Sequence, residues 1–364
     1  MKKKVFIAIN SMIFGGVQKS LLSFLDYIKD KAEVDILVWH DDFELNLPSY
    51  VNIIDIPKVF SIKTVIKEYG IFNKHFLVSV LGRFLKHSWN AMPKLKKKYD
   101  IAICYTHVRN IKYFVIDNVK ADKKYAFYHH GSYEFNGAIK SLDAEYYPKY
   151  DKVFAVSNFA KEVLLKEFGD TFEIEVCPNL INIDEIKFLA EEPCVVMDEF
   201  KGLKLLTVGR LSDEKNPLAL VDIAKHLVDK KIDFKWFVVG DGILFNDLEA
   251  KINSENLDGH FVLMGGQSNP YKFMKRCDAY VQLSKFESES IVIKEVALFN
   301  KPMFLSNIPI FEFWKNKIFN IKTFSCQKDL VAAILKIKEI SIKENEIQNL
   351  NYQTQIIIDE ILGE

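Results

Sequence analysis

The stretch LKLLTVGRLSDEKNPLALVDIAKHL, Leu203–Leu227, decides the fold. A near-continuous apolar run of strand length leads into a glycine and a polar loop, and an amphipathic helical pattern follows. Strand, short loop and helix form the repeating unit of a parallel sheet covered on both faces.

The same unit recurs on both sides of this stretch. Strand-like runs KVFIAIN, VDILVWH, YDIAICYTH, KYAFYHH and KVFAVS precede it, and FKWFVVGDG, HFVLMGG, AYVQLS and KPMFLS follow. Helical patterns such as QKSLLSFLDYIK, NFAKEVLLKEF and LFNDLEAKI separate many of them. The series pauses around Asp184 to Gly202, an acidic segment ending in a turn, before Leu203 starts it again. A boundary near residue 195 is therefore expected, giving α/β domains over residues 1–195 and 196–364. A last helix, over residues 350–364, is read from NLNYQTQIIIDEILGE, with packing back on the first domain as one arrangement.

Bulk properties agree. A chain of 364 residues, 49% apolar, suits two well-packed domains of ordinary size. Five scattered cysteines with no CxxC pair are poor material for a disulfide framework or a zinc site, so a reducing cytoplasm is expected. The basic start MKKK and its short apolar run continue into Gly15-Gly16, which reads as a first strand rather than a leader segment. No window reaches the roughly 20 apolar residues of a membrane-spanning helix.

Candidate chemistry gathers where strands end. Gly15 and Gly16 stand between the first strand and a helix, where backbone can approach a ligand and free N–H groups can meet an anion. Arg210 and Lys215 lie in the loop leaving the Leu203 strand, positioned to hold a diphosphate, one as a fork and one as a point charge. An ordinary solvated loop, with Lys215 paired to Asp213 or Glu214, is the alternative. Gly240-Asp241-Gly242 and Gly265-Gly266 end the next two strands, and a nucleotide crevice at that edge becomes plausible. His129 and His130 follow another strand beside Gly131, with His107 a weaker case of the same kind.

FESESIVIKEVALF, Phe286–Phe299, poses a burial problem. With a helix starting near Ser290, the residues Ile291, Val292, Glu295, Leu298 and Phe299 share one stripe, so Glu295 sits on an apolar face. A carboxylate there needs partners, which ribose hydroxyls would supply. Glu287 precedes the helix and can face the same crevice, while Glu289 is accounted for by the helix dipole. A glycosidase pair or a metal site would use the same acids, but no Asp/His cluster of suitable spacing accompanies them.

Taken in this order, GGVQKSLL, VGRLSDEKNPLALVDIAKHL, VVGDGILFNDLE, CDAYVQLS and ESESIVIKEVALFNKPMFLS resemble a retaining glycosyltransferase of family 4 over most of the chain. The E-x7-E run from Glu287 to Glu295 is the most specific match. The resemblance implies two facing Rossmann-like domains of the B-type glycosyltransferase fold with a cleft between them. It implies that Arg210 and Lys215 bind the donor diphosphate, Glu295 the ribose, and Glu287 the donor sugar. Gly15, Gly16, Gly240, Ser290 and Ile291 would line the donor site, and His129 or His130 would stand near the reacting sugar. Gln18 stands where an acid is common, and Asn216 where Gly is usual. Ser288, Glu289 and Ser290 replace a Gly-aromatic-Pro/Gly run beside the sugar.

A nucleotide-diphosphate sugar, a UDP-sugar by expectation, would then serve as donor, without a metal or other cofactor, to a saccharide or lipid-linked acceptor in bacterial surface polysaccharide or glycolipid synthesis. A sugar-nucleotide 2-epimerase of the same fold and an inactive scaffold of a polysaccharide assembly complex are the alternatives. Between Lys58 and Lys98 stand ten Lys or Arg and one acid, Glu68. Interleaved Phe, Leu and Trp89 make this stretch read either as a solvated helical face or as an interfacial helix on an anionic membrane. A cytoplasmic protein is expected, with a peripheral position on the inner face of the cell membrane as one arrangement and no nucleic-acid partner.

Overall fold

The structure is a computed structural model that describes residues 2–40, 42–54, 89, 92–107 and 109–364. The chain divides into two compact units, Met1–Pro178 with Ile358–Glu364, and Asn179–Ile357. Most of the basic stretch 58–98 lies outside the described residues.

The first unit is a seven-stranded parallel sheet, order β3-β2-β1-β4-β5-β6-β7. The strands are β1 Lys3–Ile9, β2 Ala32–Val38, β3 Asn52–Ile53, β4 Lys98–Cys104, β5 Lys120–Tyr128, β6 Lys152–Ala155 and β7 Ile174–Val176. Val5 to Ile9 are all fully buried, as a strand covered on both faces requires. Helix α1, Gly16–Ile28, follows β1 and buries Leu21, Phe24, Leu25 and Ile28, the three-and-four stripe of a helix lying on a sheet. Helix Asn158–Phe168 follows β6; the Ser157 hydroxyl accepts from the Ala160 N–H at 3.0 Å and caps it, and Gly169 at φ 66° ends it.

The second unit is a six-stranded sheet, order β10-β9-β8-β11-β12-β13, again all parallel. Its strands are β8 Leu203–Val208, β9 Phe234–Val239, β10 Phe261–Leu263, β11 Ala279–Gln282, β12 Met303–Ser306 and β13 Ile321–Phe324. Alternation along each strand builds two cores. Leu206, Phe237, Tyr280 and Leu305 face one hydrophobic cluster, and their neighbours Leu205, Trp236, Val281 and Phe304 face the other. Helix Ala219–Asp229, read from the opening stretch, packs Leu220, Ile223, Ala224 and Leu227 into the second of these.

The units divide earlier than the expected boundary near residue 195. The acidic segment forms helices Ile183–Ala190 and Val195–Asp198, whose Ile186, Ala190, Cys194 and Met197 enter the core of the second unit. Acidic residues on their outer faces meet Lys275 and Arg276, at 2.6 Å from Glu191 and 2.9 Å from Asp198. The final helix runs Ile347–Leu362, and its last residues belong to the first unit. There Tyr27 donates to Asp359 at 2.8 Å, and Lys31 pairs with Asp359 and Glu364. All five cysteines are free thiols, and only Cys326 is exposed.

In each sheet the chain leaves a central strand outward and then returns to the other side of it. The reversals fall between β1 and β4 and between β8 and β11, the positions where open α/β sheets receive ligands at their carboxyl ends. In the second unit the loops at that end touch backbone to backbone. A Cβ on Gly240 would lie 1.8 Å from the Gly209 carbonyl oxygen, and one on Gly242 would lie 2.4 Å from that of Leu211. Gly240→Ala is therefore expected to destabilise the second unit by roughly 2–4 kcal/mol, through overlap and a disfavoured φ. Urea unfolding checks this; an unchanged midpoint would contradict the close approach.

Candidate functional site

The second unit brings four loops together at the carboxyl edge of its sheet. The ladder of β9 with its neighbours continues past the strands: the Gly209 N–H donates to Val239, Leu211 to Asp241, and Gly240 to Gly265, at 2.8–3.0 Å. These bonds hold the loops carrying Arg210 and Gly240 rigidly against each other. Asn216 closes the first loop in the left-handed conformation, φ 53°, and its Nδ2 donates to the Leu283 carbonyl at 3.2 Å. Asn accepts this geometry better than most residues, which explains how it replaces the glycine expected there.

Arg210 is exposed on this edge. Lys215 does not pair with its sequence neighbours. Asp213 is taken by Lys285 at 2.6 Å, and the Lys215 ammonium reaches Glu287 Oε1 at 2.5 Å. Glu287 is buried, and the same Oε1 also accepts from Gln282 Nε2 at 2.5 Å and Ser284 Oγ at 2.8 Å. All three donors converge on one oxygen, and Oε2 has no partner among the described residues.

Helix Ile291–Ala297 begins after Ser290, which sits at φ 63° and ψ 71°. Its burial differs from the expected stripe. Ile293, Lys294, Glu295, Val296 and Ala297 are buried, while Ile291 and Val292 are half-buried; a helix enclosed on nearly all sides replaces the single apolar face. Glu295 accepts one hydrogen bond, from the Tyr271 hydroxyl at 3.2 Å, and no cation neutralises it among the described residues. Burial, then the Glu295 charge, push the Tyr271 phenol up, so Tyr271 stays a neutral donor.

Glu289 also differs from its dipole reading. It is buried against Lys294 at 2.8 Å, accepts from the Asn179 N–H at 3.0 Å and from the Asn179 amide, and its carbonyl receives the Trp314 indole N–H at 2.6 Å. Lys294 in turn donates to the Asn179 carbonyl. The acid is a structural anchor, fully matched by cation and amide.

In the first unit, Gly15 caps α1 in an extended conformation, and Gly16 is its exposed first residue. The Gln18 side chain turns back to the Ser11 carbonyl at 3.1 Å, bracing the turn. Across the switch point stand three histidines. His129 is buried with its ring against Tyr105 and Phe127, and neither ring nitrogen makes a hydrogen bond. Burial first, then His130, push its pKa down to about 3, against a small opposing pull from the Tyr105 backbone. His107 and His130 lie with ring centroids 4.5 Å apart; the Nδ1 atoms of both make no hydrogen bond, and that of His130 lies 3.8 Å from the Glu134 carboxylate. Burial, then His130, hold His107 well below the usual range. Asn10 Oδ1, just past β1, is a further enclosed atom without a partner. Buried polar atoms left unmatched at one sheet edge are what a polar ligand would satisfy. Lys112, in a buried ion pair with Asp143 at 2.7 Å, also holds the His107 carbonyl at 3.2 Å.

Sequence reasoning passed over Gln282, Ser284, Tyr271, Lys294 and Asn10. Only their burial marks them, and a lone polar residue at a strand end carries no signal by itself. Among the described residues no group of three or more His, Cys, Asp or Glu is arranged to hold a metal ion.

Comparison with known proteins places this geometry. Residues 14–185 match the model described as Glycosyltransferase Family 4, and residues 199–354 match Glycosyl transferases group 1. An N-acetylgalactosamine-N,N'-diacetylbacillosaminyl-diphospho-undecaprenol 4-alpha-N-acetylgalactosaminyltransferase of Campylobacter jejuni is 33% identical over 44% of this chain and 43% of its own. A UDP-Gal:alpha-D-GlcNAc-diphosphoundecaprenol alpha-1,3-galactosyltransferase of Escherichia coli is 29% identical over 43% of each. These matches thus span less than half the length of either relative. Among solved structures, Anabaena HepE with UDP and glucose aligns over 99% of this chain and 98% of that one, with TM-score 0.66 and 14% identity. The trehalose-6-phosphate synthase OtsA, a second likeness in fold, aligns over 99% of this chain and 97% of that one, with TM-score 0.70 and 13% identity. With one family model on each α/β unit and the E-x7-E acids at the sheet edge of the second, the chain belongs to glycosyltransferase family 4.

Proposed function

We propose that this chain is a retaining glycosyltransferase that moves a sugar from a UDP-sugar to a lipid-linked saccharide. The observation that carries the reading is the state of its two buried acids. Glu287 and Glu295 each keep a carboxylate oxygen without a partner at the edge that also presents Arg210 and Lys215. A buried carboxylate left half-matched calls for hydroxyl donors, and the exposed Arg210 at the same edge calls for an anion. A nucleoside diphosphate sugar supplies both.

In this reading Arg210 and Lys215 hold the diphosphate, Glu295 the ribose hydroxyls and Glu287 a sugar hydroxyl. The bond broken joins the anomeric carbon to the β-phosphate oxygen. The acceptor oxygen bonds to that carbon on the same face, and its proton passes to the departing phosphate. Charge growing on the leaving group is met by Arg210 and Lys215, so the reading calls for no metal. His129, held neutral, serves as a hydrogen-bond partner to a sugar hydroxyl rather than as an acid, and His107 and His130 extend that polar surface. The two bacterial relatives named above carry diphospho-undecaprenol saccharides in their names, which supports a lipid-linked acceptor. HepE was solved with UDP-glucose as well as UDP, which supports the donor class. No helix among the described residues is long and apolar enough to cross a membrane, and we place the enzyme at the cytoplasmic membrane face, with the basic stretch 58–98 as its contact.

A panel of UDP-glucose, UDP-galactose, UDP-N-acetylglucosamine and UDP-N-acetylgalactosamine tests the reading by UDP release, with and without a diphospho-undecaprenol saccharide. One donor should be consumed, faster with acceptor present. Interconversion of two donors without acceptor would point to an epimerase, and binding of none would refute the proposal.

Glu295→Ala should weaken UDP binding by roughly 1–3 kcal/mol in calorimetry, through lost ribose hydrogen bonds. Unchanged affinity in a folded variant would remove that role.

The histidines make a separate prediction. A folded pKa of about 3 lies below an unfolded value of about 6.5, so the stabilisation is fully present above that unfolded value. It is lost as pH falls from there toward the folded pKa, at up to about 1.4 kcal/mol per pH unit for His129. Urea unfolding at pH 7.5 and pH 5 should show His129→Asn losing about 2 kcal/mol less than the parent; equal losses would contradict a buried neutral imidazole.

A further inference from the structure

Gln282 is the last residue of β11, in a strand that is otherwise Ala, Tyr and Val, and its side chain is buried. A buried carboxamide destabilises a core unless its donors and acceptor are matched. Here each is. Its Oε1 accepts from the Tyr280 hydroxyl at 2.7 Å, and its Nε2 faces Glu287 Oε1 at 2.5 Å, Ser284 Oγ at 3.0 Å and Ser290 Oγ at 3.3 Å. A carboxylate only accepts, so the atom turned to Glu287 must be the amide nitrogen. Ser284 donates its single proton to Glu287 at 2.8 Å and therefore accepts from Gln282, which closes a consistent circuit.

We propose that Gln282 is a positioning residue that selects which oxygen of Glu287 is presented to the donor sugar. The inference rests on the donor-site reading of Glu287 given above. Three donors crowd Oε1, and two of them, Gln282 and Ser284, come from fixed protein rather than from Lys215. The carboxylate is thereby held with Oε2 outward even when Lys215 turns to a diphosphate.

The test compares Gln282→Met, an isosteric change, with Glu287→Gln and with the double variant. UDP release is measured from each of the four UDP-sugars of the panel, alongside calorimetric binding of UDP itself. Gln282→Met should lower kcat about 10-fold, leave UDP affinity within about two-fold, and cost nothing further in the Glu287→Gln background. A role in packing alone would leave Gln282→Met at the parental rate, and that result overturns the inference. Losses that multiply in the double variant overturn it as well, since Gln282 would then not act through Glu287. If Glu287→Gln is slow while Gln282→Met is not, only the role of Gln282 falls. If Glu287→Gln turns over normally, the donor-site reading falls with it. Should Gln282→Met fail to fold, Tyr280→Phe removes the hydroxyl that orients the amide while keeping the ring. A several-fold fall in kcat with unchanged UDP affinity is then expected, and a parental rate refutes the role.

Discussion

A carboxylate taken almost wholly out of water must be matched by donors, and Glu287 is matched on one oxygen only. The rest of that sheet edge follows from the asymmetry. Lys215 is drawn away from Asp213 and Glu214 toward the edge, Asp213 is left to Lys285, and Lys285 ties its loop back to the first one through its N–H on the Glu214 carbonyl at 2.8 Å. Glu289, two residues on, shows the contrasting case. Its carboxylate is matched by Lys294 and Asn179 on all sides, and it is correspondingly a part of the framework rather than of the site.

The framework depends on close backbone approach. Parallel strands β8, β9 and β10 end in loops that continue to exchange hydrogen bonds beyond the sheet, which is sterically open only because Gly240 and Gly242 have no side chain. The exchanged hydrogen bonds fix the backbone of the loops that carry Arg210 and Gly240, while the Lys215 side chain is held by Glu287. The first unit repeats the strand order without this glycine lattice. Its edge is lined instead by aromatic rings and by imidazoles held neutral through burial, a surface suited to uncharged hydroxyls.

Much of the fold was legible because buried parallel strands are strongly apolar. Runs such as VFIAI and FVV leave little room for another reading, and the ten strands read from sequence all formed. The strands that escaped notice, β3, β7 and β13, are two to four residues long and close the edges of their sheets or carry polar residues. The division between units was misplaced because an acidic helix reads as a linker, and only the packing of Ile186 and Met197 shows that it belongs to the second core. At the candidate site, pattern position together with the family resemblance singled out Glu287, Glu295, Arg210 and Lys215 as candidates, Glu295 because a carboxylate on an apolar helical stripe needs partners. Gln282, Tyr271 and Asn216 were not legible as partners. Their roles depend on which loop faces which, and that is set by strand order, which periodicity does not report.

The central claim is that the carboxyl edge of the second sheet is where a nucleoside diphosphate binds. Hydrogen–deuterium exchange of the full chain with and without saturating UDP tests it most directly. The account predicts slowed exchange in peptides covering 209–216, 240–244 and 284–297, with the buried strands of the same sheet unchanged. Protection confined to other segments, or none at saturation, would contradict it.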